Sequence, residues 1–379
     1  MNGTIPVVQP KPESRPDWQI ALAITAVLRV FYSLTAAVLS FYLRPDPALI
    51  HSNALTENLP QPGGLHFALL GIWERFDTLW YLRISERGYD LPHAVIFYPL
   101  YPAAIRAISW AVPATAAMLL VATIAAYFYL WGLLRLGNNE FTGAGRLRLL
   151  LMITVWPTSF VLFAGYAESL TLALMMWAVV FARARRWELA TICGILAGLG
   201  RPSGVLVSIP LVIMALRSRQ LRAAITFFTP VGLLGFWAWL HWTGRPSVVE
   251  AYRQYQGAAL APPWASVAEA LRLIASEHDA LLAIKLGLVI LVAILSLRRG
   301  VRLEDRLFSL AVILQLLMYT GRPLLGAARY LLPVYPAFVS LGAYAQQRWN
   351  HKQLVFYVVV FAFLNLMWFR AFLNWSLVF

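Results

Sequence analysis

Hydrophobic positions dominate the chain in long runs free of charge. No charged residue occurs between Arg106 and Arg135, a stretch long enough for a helix to cross a bilayer, which takes about 20 residues. Further uncharged runs cover residues 30–43, 149–167, 169–182, 202–216, 223–244, 307–321, 330–347 and 353–369. Several of these are shorter than a full span. Their helices must bring charge to membrane depth or pair as short hairpins, which predicts a crowded bundle with a polar interior. The pattern predicts an all-α polytopic membrane protein of about 11 transmembrane helices, forming one domain over residues 1–379. Two polar segments are long: 44–114, which has the densest polar chemistry, and 243–279. Within the second, residues 266–275 have the pattern of a short amphipathic helix lying at the interface. No repeat of fixed period and no low-complexity tract is visible.

Composition agrees with this pattern. Of 379 residues, 60% are hydrophobic and 13% charged, against about 45–50% and about 25% in soluble chains. The formal charge is +14, which in a membrane protein points to cytoplasmic loops and anionic lipid or phosphate groups rather than to nucleic acid. With the N-terminus cytoplasmic, 17 of the 31 Lys and Arg residues fall in inside segments. These include Arg146 and Arg148, Arg183, Arg217, and the group from Arg298 to Arg306. Eleven of the 17 acids then fall outside, and every short inside loop is basic, as the positive-inside rule requires. Cys193 is the sole cysteine, so an intramolecular disulfide or a Cys-based metal site is excluded. Residues 1–19 are polar and proline-punctuated, which predicts no cleavable signal peptide.

The segment from Trp73 to Pro102 holds the candidate chemistry. As a helix it places Asp77, Tyr81, Ile84 and Gly88 on one face and Trp80, Arg83 and Arg87 on another. Gly88 is placed to end that helix. An extended, proline-bounded aromatic stretch is expected from Phe97 to Pro102. A carboxylate among Trp73, Phe76 and Trp80 at the membrane edge is costly unless paired or used. Spacing alone leaves Asp77 open between a helix cap, a partner of Arg83 or Arg87, and a catalytic group. Arg-Pro recurs at Arg44-Pro45, Arg201-Pro202, Arg245-Pro246 and Arg322-Pro323, each at an expected outer helix end where proline disfavours helix in the residue before it. His66 and His93 show no metal-ligand spacing, and no Gly-rich nucleotide loop is present. Arg29 lies inside the first span, where a partner in the bundle or a lipid phosphate would satisfy it.

The motif Asp77-x-x-x-Tyr81-x-x-Ile84-x-x-x-Gly88-Tyr89, followed by Phe97-Tyr98-Pro99-Leu100-Tyr101-Pro102, resembles the PIG-V family of mannosyltransferases of GPI-anchor synthesis and their bacterial relatives. Here Phe76 replaces the usual Trp before the acid and Ser85 the usual Ala. Gly165-Tyr166-Ala167-Glu168-Ser169-Leu170, Gly200-Arg201-Pro202-Ser203-Gly204 (with Ser203 in place of Asn) and Ala328-Arg329-Tyr330-Leu331-Leu332-Pro333 extend the likeness in order along the chain. The resemblance implies a GT-C-type glycosyltransferase that moves mannose, or a related hexose, from a polyprenyl-phosphate sugar to an acceptor hydroxyl on the outer face, with inversion. Segment 44–114 is then the catalytic outer loop. Such a transfer needs a base for the hydroxyl proton and cations for the departing phosphate. Asp77 is the candidate base. Arg201 and Arg329 are the candidates for phosphate, since guanidinium grips phosphate oxygens through a rigid fork; headgroup snorkelling is the alternative for each. Glu168 either orients acceptor hydroxyls or pairs with Arg201. Tyr81, Tyr330, Trp73 and Trp80 are the aromatic candidates for substrate contact, and Tyr255 and Trp264 are expected mainly to pack. No cofactor and no divalent metal is expected. The expected partners are the lipid-linked donor, a lipid or glycan acceptor, membrane lipids and a small membrane subunit. Short loops and a single cysteine fit a bacterial plasma membrane better than an ER enzyme. A transporter of lipid or lipid-linked sugar is the rival, though such proteins usually show an internal repeat. A non-catalytic subunit that presents substrate is the third possibility.

Overall fold

The computed structural model describes residues 16–53, 62–137, 143–257 and 259–376, together with residues 55, 59 and 141. Within these residues the chain folds into eighteen α-helices with short 3-10 segments between them. The sole β pairing described is a two-residue antiparallel ladder, Ala259–Leu260 against Tyr319–Thr320. Four helical stretches are long and apolar enough to cross a membrane: Asp17–Tyr42, Ala114–Gly137, Leu221–Trp242 and His351–Leu373. Trp187–Gly200, Pro202–Ser218 and Ala280–Ser296 are apolar but shorter.

The first helix shows which solvent surrounds the fold. Its stripe of Ala21, Thr25, Tyr32 and Ala36 is buried, whereas Leu22, Val27, Val30, Leu34 and Val38 are exposed. A helix with hydroxyls turned inward and aliphatic groups turned outward is stable only where the surroundings are themselves apolar. The chain is thus a multi-pass membrane protein.

Short helices build the interior. Glu168–Arg183 and Trp187–Gly200 are joined by a three-residue turn and lie side by side as a hairpin. The hairpin presents Glu168 and Arg201 at one end of the bundle and Arg183 at the other. Each of the four Arg-Pro pairs follows within a few residues the end of a helix: Asp17–Tyr42, Trp187–Gly200, Val231–Trp242 and Leu303–Leu317. Ion pairs sort by the sidedness expected from charge. Arg146 with Asp17 (3.2 Å), Arg183 with Asp305 (2.6 Å) and Arg217 with Glu304 (2.7 Å) join residues expected inside. Arg201 with Glu168 and Arg329 with Asp77 join residues expected outside.

Two local expectations differ from what is observed, and one helix lies outside the charge-free runs. Tyr101 and Pro102 are not extended; they lie in the first turn of a helix, Leu100–Ile108, where a missing proline N–H leaves no bond unmade. The run 330–347 is not one helix. Ala327–Tyr330 ends in a turn through Pro333, and Tyr335–Arg348 begins anew with Pro336 in its first turn. Ala280–Ser296 is helical although Lys285 interrupts its apolar run. The amphipathic element of the second polar segment is observed as Pro263–Glu277, and residues 248–256 form a further helix.

The close approach of the 3-10 turn Pro202–Val207 to the preceding helix requires glycine at position 204: a Cβ there would sit 2.0 Å from the carbonyl oxygen of Ala197. Gly204→Ala is expected to destabilise the protein by about 1–3 kcal/mol, measured as a lower Tm of the purified protein in detergent. An unchanged Tm would show that this turn does not lock the end of the hairpin.

Candidate active site

Asp77 is the first residue of the helix Asp77–Arg87 and does not cap it; the preceding residue, Phe76, takes that place with φ 51° and ψ −121°. Positive φ in a bulky residue is strained. Packing of the Phe76 ring against Trp375 (5.3 Å) and Phe372 (6.0 Å) holds it. The turn directs the Asp77 carboxylate into the bundle, and Gly88 ends the helix at φ 72° as expected. Arg83 does not reach Asp77. It makes a two-pronged contact with Asp90 at 3.1 and 2.8 Å, and these bonds hold the Asp90 carboxyl below its ordinary pKa.

Asp77 is instead met by Arg329, 252 residues away in sequence, whose Nη1 donates to Oδ2 at 2.9 Å. Arg329 stands on the short helix Ala327–Tyr330, entered through Gly326 at φ 70°. A Cβ on Gly326 would lie 2.8 Å from the Tyr330 ring, so both the backbone conformation and the space demand glycine. Nε of Arg329 lies 3.1 Å from Oε1 of Glu168, and Nη1 of Arg201 approaches the same oxygen at 2.8 Å. The result is a row of alternating charge, Asp77–Arg329–Glu168–Arg201, with no net charge. Aromatic rings enclose it. Tyr166 and Tyr330 lie under the Arg329 guanidinium at 5.1 and 5.0 Å, and Tyr330 also faces Arg201 at 5.2 Å. The Tyr330 hydroxyl accepts from Nη2 of Arg329 at 3.0 Å.

The two carboxylates have different surroundings. Glu168 is 4% exposed, whereas Asp77 is 27% exposed and lines a small pocket with Tyr81, Phe97, Tyr98, Arg201, Tyr252 and Tyr330. Oδ1 of Asp77 has no hydrogen-bond partner among the described residues. The pocket holds about 30 Å³, enough for little more than a water molecule. Arg201, Pro202, Tyr252 and Tyr330 also line a neighbouring apolar groove of about 90 Å³ walled by Val312, Leu316, Leu324 and Leu325. Arg322 lies in that groove and makes no ion pair among the described residues.

The remaining candidates fall elsewhere. Trp73 is fully buried, packed against Phe369 at 5.6 Å and covered by the Arg29 guanidinium at 4.7 Å. Arg29 donates within the bundle to the Phe163 carbonyl (2.8 Å) and Ser33 (3.1 Å), while its Nη2 is buried with no hydrogen-bond partner among the described residues. Trp80 does not line the pocket; it stacks on Phe97, which does, at 5.3 Å and 14°. His93 meets the edge of Trp80. Among the described residues no three His, Cys, Asp or Glu side chains are grouped as metal ligands would be. The side chain of Tyr255 lies outside the described residues. Nothing in its spacing marks Tyr252 among the aromatics of its segment. Arg322, at one of the Arg-Pro pairs, ranks in the sequence below Arg201 and Arg329 as a phosphate candidate.

The fold and this site together define a helical membrane protein with a carboxylate–guanidinium row at one end of its bundle. No protein-family model matches the chain, and no curated protein matches it. Among solved structures, that of ArnT from Cupriavidus metallidurans in the apo state is similar, with a TM-score of 0.47 and 12% identity over 93% of this chain and 77% of that one.

Glu168 bridges two buried guanidinium groups, so Glu168→Ala leaves both without their shared counter-charge. The variant is expected to lose about 3–5 kcal/mol, read as a large fall in Tm. Glu168→Asp is expected to recover part of it. Wild-type stability in Glu168→Ala would mean that the bridge contributes nothing to holding Arg201 and Arg329.

Proposed function

We propose that the protein is a membrane glycosyltransferase of the GT-C type. It moves mannose or a related hexose from a polyprenyl-phosphate sugar to an acceptor hydroxyl, with inversion at the anomeric carbon. The observation that supports this reading is the adjacency of two unlike spaces across one wall: a polar pocket containing a carboxylate, and an apolar groove containing arginines, sharing Arg201, Pro202, Tyr252 and Tyr330. A sugar joined through phosphate to a lipid has the same sequence of properties. The hexose belongs beside Asp77, the phosphate between Arg201 and Arg322, and the isoprenoid tail along Leu316, Leu324 and Leu325.

In this scheme the acceptor hydroxyl oxygen attacks the anomeric carbon from the face opposite the phosphate. The carbon–oxygen bond to phosphate breaks, and the electron pair leaves with the polyprenyl phosphate. The hydroxyl proton passes to Oδ1 of Asp77. Arg329, engaged with Oδ2, fixes the orientation of that carboxylate and adds positive charge beside the leaving group. Arg201, held by Glu168, and Arg322 stabilise the developing phosphate charge through preorganised guanidinium groups. A leaving phosphate is already a weak base, so the scheme needs neither an acid on the protein nor a cofactor or divalent metal. The pocket as it stands is too small for a hexose, so donor binding must displace the Tyr252 side or the aromatic wall. The PIG-V resemblance supports mannose and a reaction on the extracytoplasmic face of a bacterial plasma membrane. The acceptor is a lipid or glycan on that face, and a small membrane subunit is a candidate partner.

Purified protein in detergent, given polyprenyl-phosphate-[14C]mannose and a membrane-lipid extract, is expected to place label in a new product. Asp77→Asn should slow that transfer by about 10²–10⁴-fold while donor binding is retained. Undiminished turnover in Asp77→Asn would remove Asp77 as the base. Donor binding by the wild type with neither transfer nor slow hydrolysis, in extracts from the native membrane, would favour a transporter.

A further inference from the structure

The end of the bundle remote from Asp77 contains a second charged cavity that the transferase reading does not use. It measures about 320 Å³ and is lined by Arg183, Arg298, Arg299, Arg302, Tyr344 and Gln347, among others. Arg183 closes the hairpin helix Glu168–Arg183. Its Nη2 donates to Oδ2 of Asp305 at 2.6 Å, and the other Asp305 oxygen accepts a bond from the Tyr335 hydroxyl. One carboxylate thus forms the floor. Four guanidinium groups surround it, and Glu304, the adjacent acid, is taken by Arg217 outside the cavity. Arg299 and Arg302 make no ion pair among the described residues, and Nε of Arg183 is buried without a hydrogen-bond partner. Arg298 is held over the Tyr344 ring at 4.8 Å, with the Ser340 carbonyl at 3.4 Å. Arg183 and Arg298 are thus held in place at the cavity, and the exposed Arg299 and Arg302 add uncompensated positive charge to it.

Loop basicity alone accounts for arginines at this end of the bundle, but not for the convergence of four of them on one cavity. The rim indicates the source of the missing anion. Leu297, Leu303 and Leu307, on the same loop and the helix that follows it, are exposed beside the cavity mouth, where acyl chains rather than water would cover them. We propose that this cavity is a binding site for the headgroup of an anionic phospholipid. The phosphate diester would be gripped by the forks of Arg183, Arg299 and Arg302, and the acyl chains would lie over the three leucines.

The test is titration of the purified full-length protein in mixed micelles with phosphatidylglycerol or phosphatidylcholine, with bound lipid read by native mass spectrometry. Arg299→Gln/Arg302→Gln is compared with Arg219→Gln/Arg222→Gln, a control that removes the same charge from exposed positions expected on the same side and outside the cavity. Both pairs lack described carboxylate partners, so neither exchange breaks an ion pair that holds the fold. The wild type is expected to retain phosphatidylglycerol over phosphatidylcholine. The cavity variant should weaken that retention by about tenfold or more, while the control changes it by no more than about twofold. Equal losses in the two variants would mean diffuse surface charge and would overturn the site, as would equal retention of the two lipids by the wild type. Displacement of phosphatidylglycerol by millimolar inorganic phosphate in the wild type alone would identify a free phosphate as the ligand and overturn the lipid assignment.

Discussion

The fold turns on one carboxylate. Glu168 sits at the start of a hairpin helix, nearly sealed from solvent, with Arg201 and Arg329 both at its Oε1. Two guanidinium groups in an apolar bundle have no other way to remain charged at this depth without large cost. The pairing also fixes geometry. It ties the end of the hairpin to the short helix Ala327–Tyr330, and that helix presents the Arg329 fork to Asp77. Without the bridge the two arginines would seek separate partners, and the carboxylate in the pocket would lose its anchor.

Asp77 gains its distinct role from the elements around it. Its own helix carries Arg83 and Arg87 on another face, out of pairing register with Asp77, and Arg83 is taken by Asp90. The strained backbone at Phe76 removes Asp77 from the capping position that an acid at a helix start would ordinarily take. Both features direct the carboxylate toward a distant cation rather than a local one. One oxygen is thereby fixed and the other left toward the pocket. The contrast with Glu168 is instructive: of two acids in one row of charge, the sealed one ties two helices together and the partly open one faces the pocket.

Much of this was legible in the sequence. Long charge-free runs gave the membrane class, because only segments bathed in lipid tolerate such composition. The distribution of charge assigns both partners of the long-range ion pairs to the same side. The helix from Asp77 and its glycine stop followed from local rules. What sequence could not supply was partnership across long separation: that Asp77 meets Arg329 rather than Arg83 depends on how the bundle closes. Trp73 and Trp80 stood beside the acid in sequence, but helix geometry turned one into the core and the other behind Phe97. Tyr252 reaches the pocket because its helix folds back over it, an outcome that no spacing within its own segment encodes. Apolar runs broken by one lysine or two prolines, at Ala280–Ser296 and 330–347, likewise depended on neighbours that accommodate the interruption.

The segment from Ala327 to Tyr335 belongs to both ends of the molecule. Arg329 serves the row at one end, and Tyr335, six residues later, meets Asp305 at the other. Proline leaves carbonyls between them without helical partners, and side chains from other helices occupy these: Trp156 donates to Ala328 at 2.8 Å, and Tyr129 donates to Leu332 at 3.0 Å. The segment thus behaves as a pinned strut and not as a slack linker. The two charge clusters are thus joined by nine residues of backbone that other helices hold at two carbonyls.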